Sequence, residues 1–354
     1  MTAAPDTRTV DFGRSQHVLR WGGISLRISS RAAVVCAVLV VLCAIGAVAA
    51  LALGSYAVSL PQLVDVLRGA DDSFARTVVT EWRAPRALAA IVFGAALGMS
   101  GAVFQGLTNN PLASPDVIGF AAGSYTGALL VIIVLGGGYA SVASGALLGG
   151  LATATMVYLL AYRGGITGFR LIIVGIGVAA MLGSVNTWLL LRADLEVAMS
   201  AATWGAGSLN GITWEQTGVA TGFILVLFVG TCALGSSLRQ MQLGDDAARA
   251  LGVRLEPSRL GLVLTGVALT AAVTAAAGPI AFVALAAPQI ARRIARTPGI
   301  TLVPAACTGA ALLLAADAVA QHALPSPLPV GVVTVVIGGG YLIWLLIHEM
   351  RRHA

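Results

Sequence analysis

Three stretches of this sequence set polar groups at spacings that can do chemistry. GLTNNPLASPDVIGF, Gly106 to Phe120, places Asn109, Asn110, Asp116 and two prolines, Pro111 and Pro115, inside a long apolar run. Proline breaks a helix there, and the asparagine amides, Ser114 and Asp116 can bond the backbone groups so freed or cap the next helix. LGDDAARALGV, residues 243–253, repeats Leu243, Ala247, Ala250 and Leu251 at helical spacing and keeps Asp245, Asp246 and Arg249 polar. It reads as a short amphipathic helix that must rest on something: lipid headgroups or, since two adjacent aspartates suit an anionic surface poorly, a protein groove. Arg83 and Arg86 stand three residues apart, hence on one helical face, where two cations either snorkel to headgroups or pair with carboxylates of a docking partner.

Other chemistries are excluded by what is missing. All 21 basic residues are arginine, so the chain holds neither a phosphate-binding loop of the G-x-x-x-x-G-K-[ST] type nor a Schiff-base lysine. If ATP drives this protein, another chain binds it. Cys36, Cys43, Cys232 and Cys307 lie in apolar runs at spacings that suit neither zinc nor a disulfide framework, and His17, His322, His348 and His353 lack metal-ligand spacing. No metal, cofactor or catalytic constellation is therefore expected in this chain. Asp317 is the one carboxylate within an apolar run, too sparse a set for an ion-coupled carrier.

The elements that position these groups are membrane spans. Only 10% of the residues are charged and 58% are apolar, against a soluble average of roughly 25% charged. At about 20 apolar residues per span, the uncharged runs supply ten: 32–53, 86–107, 117–135, 140–161, 170–190, 217–236, 260–277, 279–295, 302–320 and 330–348. Breaks at Gly136–Tyr139 and at Gly278-Pro279 divide the two longest runs. With both termini cytoplasmic, 16 of the 21 arginines fall inside, and only Arg68, Arg76, Arg83, Arg86 and Arg192 fall outside. The net charge of +6 is thus a topological signal, and no nucleic-acid module is present. Residues 1–31 read as a cytoplasmic tail and not a signal peptide, 32–348 as one transmembrane domain with a cytoplasmic loop at 239–259, and 349–354 as a second cytoplasmic tail.

Arg86, Gly94, Gly106 and Pro111 recur in order as Arg259, Gly266, Gly278 and Pro279 five spans later, the mark of inverted repeats with a pathway at an interface. The Asn109–Asp116 stretch is then either a capped cytoplasmic turn or a broken helix facing a path, because non-helical backbone at membrane depth must be buried in protein or wet. Asn186, in the outward half of the fifth span, either lines that path or bonds a neighbouring helix. Trp82, Trp204 and Trp214 read as interfacial anchors.

Seven motifs occur along the chain: WRAPR (82–86), GAALGMSGAVFQGLTNNPLASPDVIGFAAG (94–123), WGAGSLNGITW (204–214), LGDDAARALGV (243–253), GPIAFVALAAPQIARR (278–293), LLLAADAVAQ (312–321) and LPVGVVTVVIGGGYLIWLLI (328–347). In type and order they resemble the permease subunits of iron-siderophore and cobalamin ABC importers, the FecCD type, over residues 50–348. The APQIARR and GGGYLIWLLI segments look most like the ferric-enterobactin branch.

The resemblance implies an all-α membrane fold of about ten helices with inverted repeats, similar to the cobalamin permease. It implies two permease subunits around a central path in a bacterial inner membrane, separate ABC ATPase subunits that carry ATP and Mg, and a substrate-binding protein on the outer face. Carried over by motif, Arg83 and Arg86 dock the binding protein, while Leu243, Gly244, Asp245, Asp246, Ala247, Leu251 and Gly252 couple to the ATPase. Gln105, Asn109, Asn110, Pro111, Thr167 and Asn186 belong to the pathway and its gate. The chain departs from the family at Gln289, where His is common, at Pro327, where an acidic residue is common, in TPGITL after Arg296, and at Gln321, where the cobalamin permease has an outward arginine. A second, different permease subunit supplying that contact favours a heterodimer over a homodimer. The expected function is import of an iron-siderophore complex. Another large chelate such as cobalamin or haem, or ion-coupled secondary transport, are the alternatives.

Overall fold

A computed structural model of the chain describes residues 16–21, 24–70, 73–162, 168–323 and 325–353. An antiparallel hairpin, β1 (Gln16–Trp21) and β2 (Ile24–Ser29), leads into α1 (Ser30–Ala52), so the polar tail carries a strand pair that its composition does not announce. A short α2 (Leu60–Leu67) follows, and then a continuous helical rod, Phe74–Thr108. The rod joins α3 (Phe74–Thr77), a π-helical stretch Val78–Arg83, and α4 (Ala84–Thr108). It starts well before residue 86, where a span was expected. Pro85 has no N–H to donate backwards, and the helix passes it by widening, with the Ala84 N–H reaching back to the Val79 carbonyl.

The remaining order is α5 (Phe120–Leu130), extended to Leu135 by a second π-helical stretch, α6 (Tyr139–Ala161), α7 (Gly168–Arg192), α8 (Leu195–Gly205) and α9 (Trp214–Ala233). Two short helices, α10 (Gly235–Met241) and α11 (Asp245–Ala250), come before α12 (Leu255–Ala277), α13 (Val283–Ala295), α14 (Leu302–His322) and α15 (Val330–His353). Among the described residues, seven helical segments are long and apolar enough to cross a membrane, and 120–135, α13 and α15 complete a set of ten. The third and eighth spans start later than expected, at Phe120 and Val283 in place of 117 and 279. Gly119, Gly278 and Phe282 all hold left-handed backbone just ahead of those helices, which keeps 109–119 and 278–282 out of helical geometry. The last span runs on to His353, through the segment expected as a tail.

The bundle is organised around α4, which is buried along most of its length. Small residues allow this. A Cβ at Gly94 would strike the Gly309 carbonyl oxygen, one at Gly98 the Ala305 carbonyl, and one at Gly101 that of Ala284, so α4 lies backbone to backbone against α14 and α13. Phe93, Leu97, Met99 and Phe104 fill the space between these contacts. Ser100 donates to the Gly266 carbonyl at 2.6 Å and meets the Thr270 hydroxyl at 2.9 Å, tying α4 to α12 with groups that would otherwise be unpaired.

Candidate coupling surface and helix breaks

The loop between α10 and α12 exposes apolar side chains on a fixed mount. Gly244 (φ 104°) and Gly252 (φ 84°) adopt left-handed backbone at the two ends of α11, a conformation that costs any other residue strain. Between them Ala248 is fully buried against Met241, Leu255 and Leu262. Asp245 accepts from Arg259 Nη2 at 2.8 Å, and that arginine is itself buried, so the loop is pinned to the first turns of α12. Asp246 pairs with Arg249 at 3.2 Å on the surface. Leu243 and Leu251 are left 68% and 58% exposed, with Ala247 and Ala250 exposed between them. The apolar stripe read from the sequence therefore points away from the bundle, while a single alanine makes the buried contact.

The Asn109–Asp116 segment is a non-helical connection whose Asn110 and Ser114 side chains bond its own backbone. Asn109 ends α4 in left-handed backbone (φ 48°), the Asn110 side chain accepts from the Leu112 N–H at 2.9 Å, and Ser114 Oγ accepts from the Val117 N–H at 3.3 Å. Pro111 and Leu112 are exposed, and Ala113, Ser114 and Pro115 are buried. Asp116 turns back into the protein. One of its oxygens, Oδ2, is enclosed with no hydrogen-bond partner among the described residues. Burial pushes this carboxyl up to about 7, with the Phe282 N–H pulling the other way.

Two residues assigned to a pathway act as braces instead. Gln105 is fully buried, donates Nε2 to the Leu285 carbonyl at 2.9 Å, and accepts from Gln289 Nε2, which joins α4 to α13. A glutamine so enclosed faces no conduit within this chain. Asn186 is buried as well, accepting from Thr126 Oγ1 at 2.7 Å and donating to the Ala122 carbonyl, so it bonds α5 to α7. Thr167 lies outside the described residues.

At the opposite end, Arg83 and Arg86 do not share a face. Arg83 closes the π-helical stretch and reaches α1, donating to the carbonyls of Leu51 at 2.8 Å, Ala52 at 3.3 Å and Tyr56 at 2.7 Å. It caps the end of α1, where carbonyls lack helical partners. Arg86 points to α14 and holds Asp317 with both arms, at 2.8 and 2.6 Å, and its Nη1 donates to Asn210 Oδ1 at 2.7 Å. Gln321 donates to the same Asn210 oxygen at 3.0 Å. Asp317 is only 6% exposed at its side chain. A pair of free docking cations is thus replaced by a helix cap and a buried ion pair. The i,i+3 argument assumed regular α geometry, and the π-helical stretch rotates Arg83 away. Beside the cluster, a cavity of about 700 Å³ opens between α1, α4 and α14. The freed Thr80 carbonyl of the π stretch accepts from Trp214 Nε1 at 2.6 Å, so Trp214 has a structural bond in addition to any interfacial one.

Residues 29–348 match the model of the FecCD transport family. The chain belongs to that family. It is 49% identical over 326 residues to the ferric enterobactin transport system permease protein FepG of Escherichia coli, covering 92% of this chain and 99% of the relative. It is 34% identical to the achromobactin transport system permease protein CbrC of Dickeya dadantii, covering 96% of this chain and 99% of that one. Among solved structures, a metal-chelate type ABC transporter in an inward-facing conformation superposes with a TM-score of 0.79 at 28% identity, covering 90% of this chain and 99% of its own. That protein shares the helical bundle described here.

For a FecCD chain, the residues that sequence reasoning passed over are informative. The partner of Asp317 was missed, although a lone intramembrane carboxylate demands a cation and Arg86 is the arginine carried into the neighbouring span. Asp116 was read as a cap.

Proposed function

We propose that this chain is the permease subunit of an ATP-driven importer for an iron-siderophore complex, seated in a bacterial inner membrane with both termini in the cytoplasm. Family membership and the 49% identity to a ferric enterobactin permease support the class and the cargo. The observation that carries the mechanism is the inner loop. Leu243, Ala247 and Leu251 project from a mount pinned by the Asp245–Arg259 pair and the buried Ala248, an arrangement suited to the groove of a separate ATPase subunit holding ATP and Mg. Closure of two ATPase subunits would push on this loop and, through Arg259, on the start of α12. Gly244 and Gly252 let the loop turn sharply at both ends without distorting α10 or α12.

On the outer face a substrate-binding protein delivers the cargo. With Arg83 and Arg86 engaged internally, docking falls to exposed groups such as Arg68 at the end of α2, beside the outward Leu60, Val64 and Leu67. A second permease subunit completes the path, and a heterodimer is the favoured assembly. The Asn109–Asp116 segment, with Pro111 and Leu112 exposed, would face that path near the inner end. Residues 30–353 work as one membrane unit in this reading, and the loop 239–259 is its contact with the ATPase.

The test is reconstitution. Vesicles containing this chain, its partner permease and the ATPase should take up a ferric catecholate complex only when ATP and the binding protein are both supplied, and vanadate should stop uptake. Uptake driven by an ion gradient without the ATPase would overturn the proposal.

A further inference from the structure

The cavity beside Arg86 and Asp317 is not accounted for by the ion pair it adjoins. Its volume of about 700 Å³ falls in the range of ligand pockets, about 300–1,000 Å³. It runs between two membrane spans, from His322 at the end of α14 down to Ala311, about 16 Å along the helix axis. Half of a bilayer's hydrocarbon core is about 15 Å. The cavity is therefore as deep as one leaflet.

Its walls change character with depth. At the foot stand Gly46, Ala49 and Ala50 of α1 and Ala311, Leu314 and Ala315 of α14. A water molecule needs two to four polar partners to settle in a cavity, and these side chains offer none, so the foot suits hydrocarbon. At the mouth stand Glu81, Arg83, Gln321 and His322. Trp82 also lines the mouth and ends a row of three exposed rings, Tyr56 to Phe74 at 5.6 Å and Phe74 to Trp82 at 5.7 Å, each pair edge to face. Tryptophan and tyrosine gather where headgroups meet hydrocarbon, so the row sets the mouth at headgroup level.

The cleft is kept apart by fixed points on α1. Arg83 holds the end of that helix through Leu51, Ala52 and Tyr56. Lower down, a Cβ at Gly46 would press on Leu314 Cδ2 at 2.8 Å, which closes the foot, and at the far end Arg31 donates to the Ile294 carbonyl at 3.1 Å. Held at three levels, α1 does not lean across to α14. The charge of Arg86 is met by Asp317, whereas that of Arg83 is met by carbonyls and by no carboxylate among the described residues. A cation without a counter-ion thus stands over an apolar shaft of one-leaflet depth, the complement of a phosphate joined to acyl chains.

We infer that the cleft between α1 and α14 seats one phospholipid of the surrounding bilayer, with an acyl chain between Ala49 and Ala315 and the phosphate beside Arg83. The phosphate meets the guanidinium's charge without displacing the α1 carbonyls. The lipid in turn fixes α1, the least buried of the seven long spans. This inference rests on the membrane placement of the chain and is independent of its cargo.

The experiment is native mass spectrometry of the full chain, purified from membranes in mild detergent with whatever subunits accompany it. A phospholipid should be retained. Ala315→Phe puts a ring into the shaft from an exposed position and should retain about tenfold less, whereas Val303→Phe, exposed on the same helix away from the cleft, should retain as much as the unaltered chain. Added to delipidated protein, phosphatidylethanolamine or phosphatidylglycerol should raise the melting temperature, and diacylglycerol, which has the chains without the phosphate, should not. Equal retention by Ala315→Phe and the unaltered chain would overturn the site, and a response to diacylglycerol as large as that to the phospholipids would overturn the place of the phosphate beside Arg83. Should Ala315→Phe fail to fold, Ala318→Leu narrows the same shaft with a smaller side chain, and unchanged retention in that variant would overturn the site equally.

Discussion

The two ends of this permease treat their charged and apolar side chains in opposite ways. At the inner end the apolar residues face out: Leu243 and Leu251 are exposed, and the acids and Arg259 hold the loop to α12. At the outer end the cations face in: Arg83 closes α1 and Arg86 holds Asp317 beside Asn210. Leucines left bare on a rigid mount are available to a partner, since their burial is still to be gained. Arginines with several internal bonds are not, because docking would first have to break those bonds. Residue type alone suggests the reverse, with charges at the surface and leucines in the core.

The largest expected effect tests the outer end. Arg86→Leu or Asp317→Leu alone leaves a buried charge without its counter-ion, which costs about 3–5 kcal/mol. Either variant should show a strongly lowered melting temperature in detergent, and Arg86→Leu with Asp317→Leu should recover most of the loss. If the single variants melt normally and lose only affinity for the binding protein, Arg86 is a docking cation and the contrast fails.

A smaller effect is expected at the inner end. Leu243→Asp or Leu251→Asp should leave melting unchanged and weaken association with the ATPase by about 30-fold, as for a hot-spot contact of about 2 kcal/mol. Co-purification against a titrated ATPase measures it. A variant that unfolds, or one that associates normally, would remove the leucines from the interface.

The smallest effect sharpens the contrast. Arg83→Ala removes a partly exposed cap from α1, and the loss should be about 1 kcal/mol once solvent screening is allowed for. Amide exchange should quicken over Leu51 to Tyr56 and nowhere else, and affinity for the binding protein should stay within about twofold. A large fall in that affinity would return Arg83 to the docking surface.

Composition and pattern were enough to establish the membrane class, the ten spans and their breaks. Hydrophobic length is a one-dimensional property, and Gly278, Pro279, Pro111 and Pro115 interrupt it locally. Helical spacing likewise marked Leu243, Ala247, Ala250 and Leu251 as one stripe, and the turn preference of asparagine marked Asn110. The direction each group faces was decided only by tertiary structure. Gln105 and Asn186 look like pathway residues until α13 and α5 come within hydrogen-bonding distance and take them as braces. The π-helical stretch ahead of Pro85 sends Arg83 to α1 and leaves Arg86 to Asp317, 231 residues on. Each of these outcomes depends on which unpaired backbone or side-chain group lies nearest in space, and a buried polar group settles with that neighbour whatever its distance along the chain.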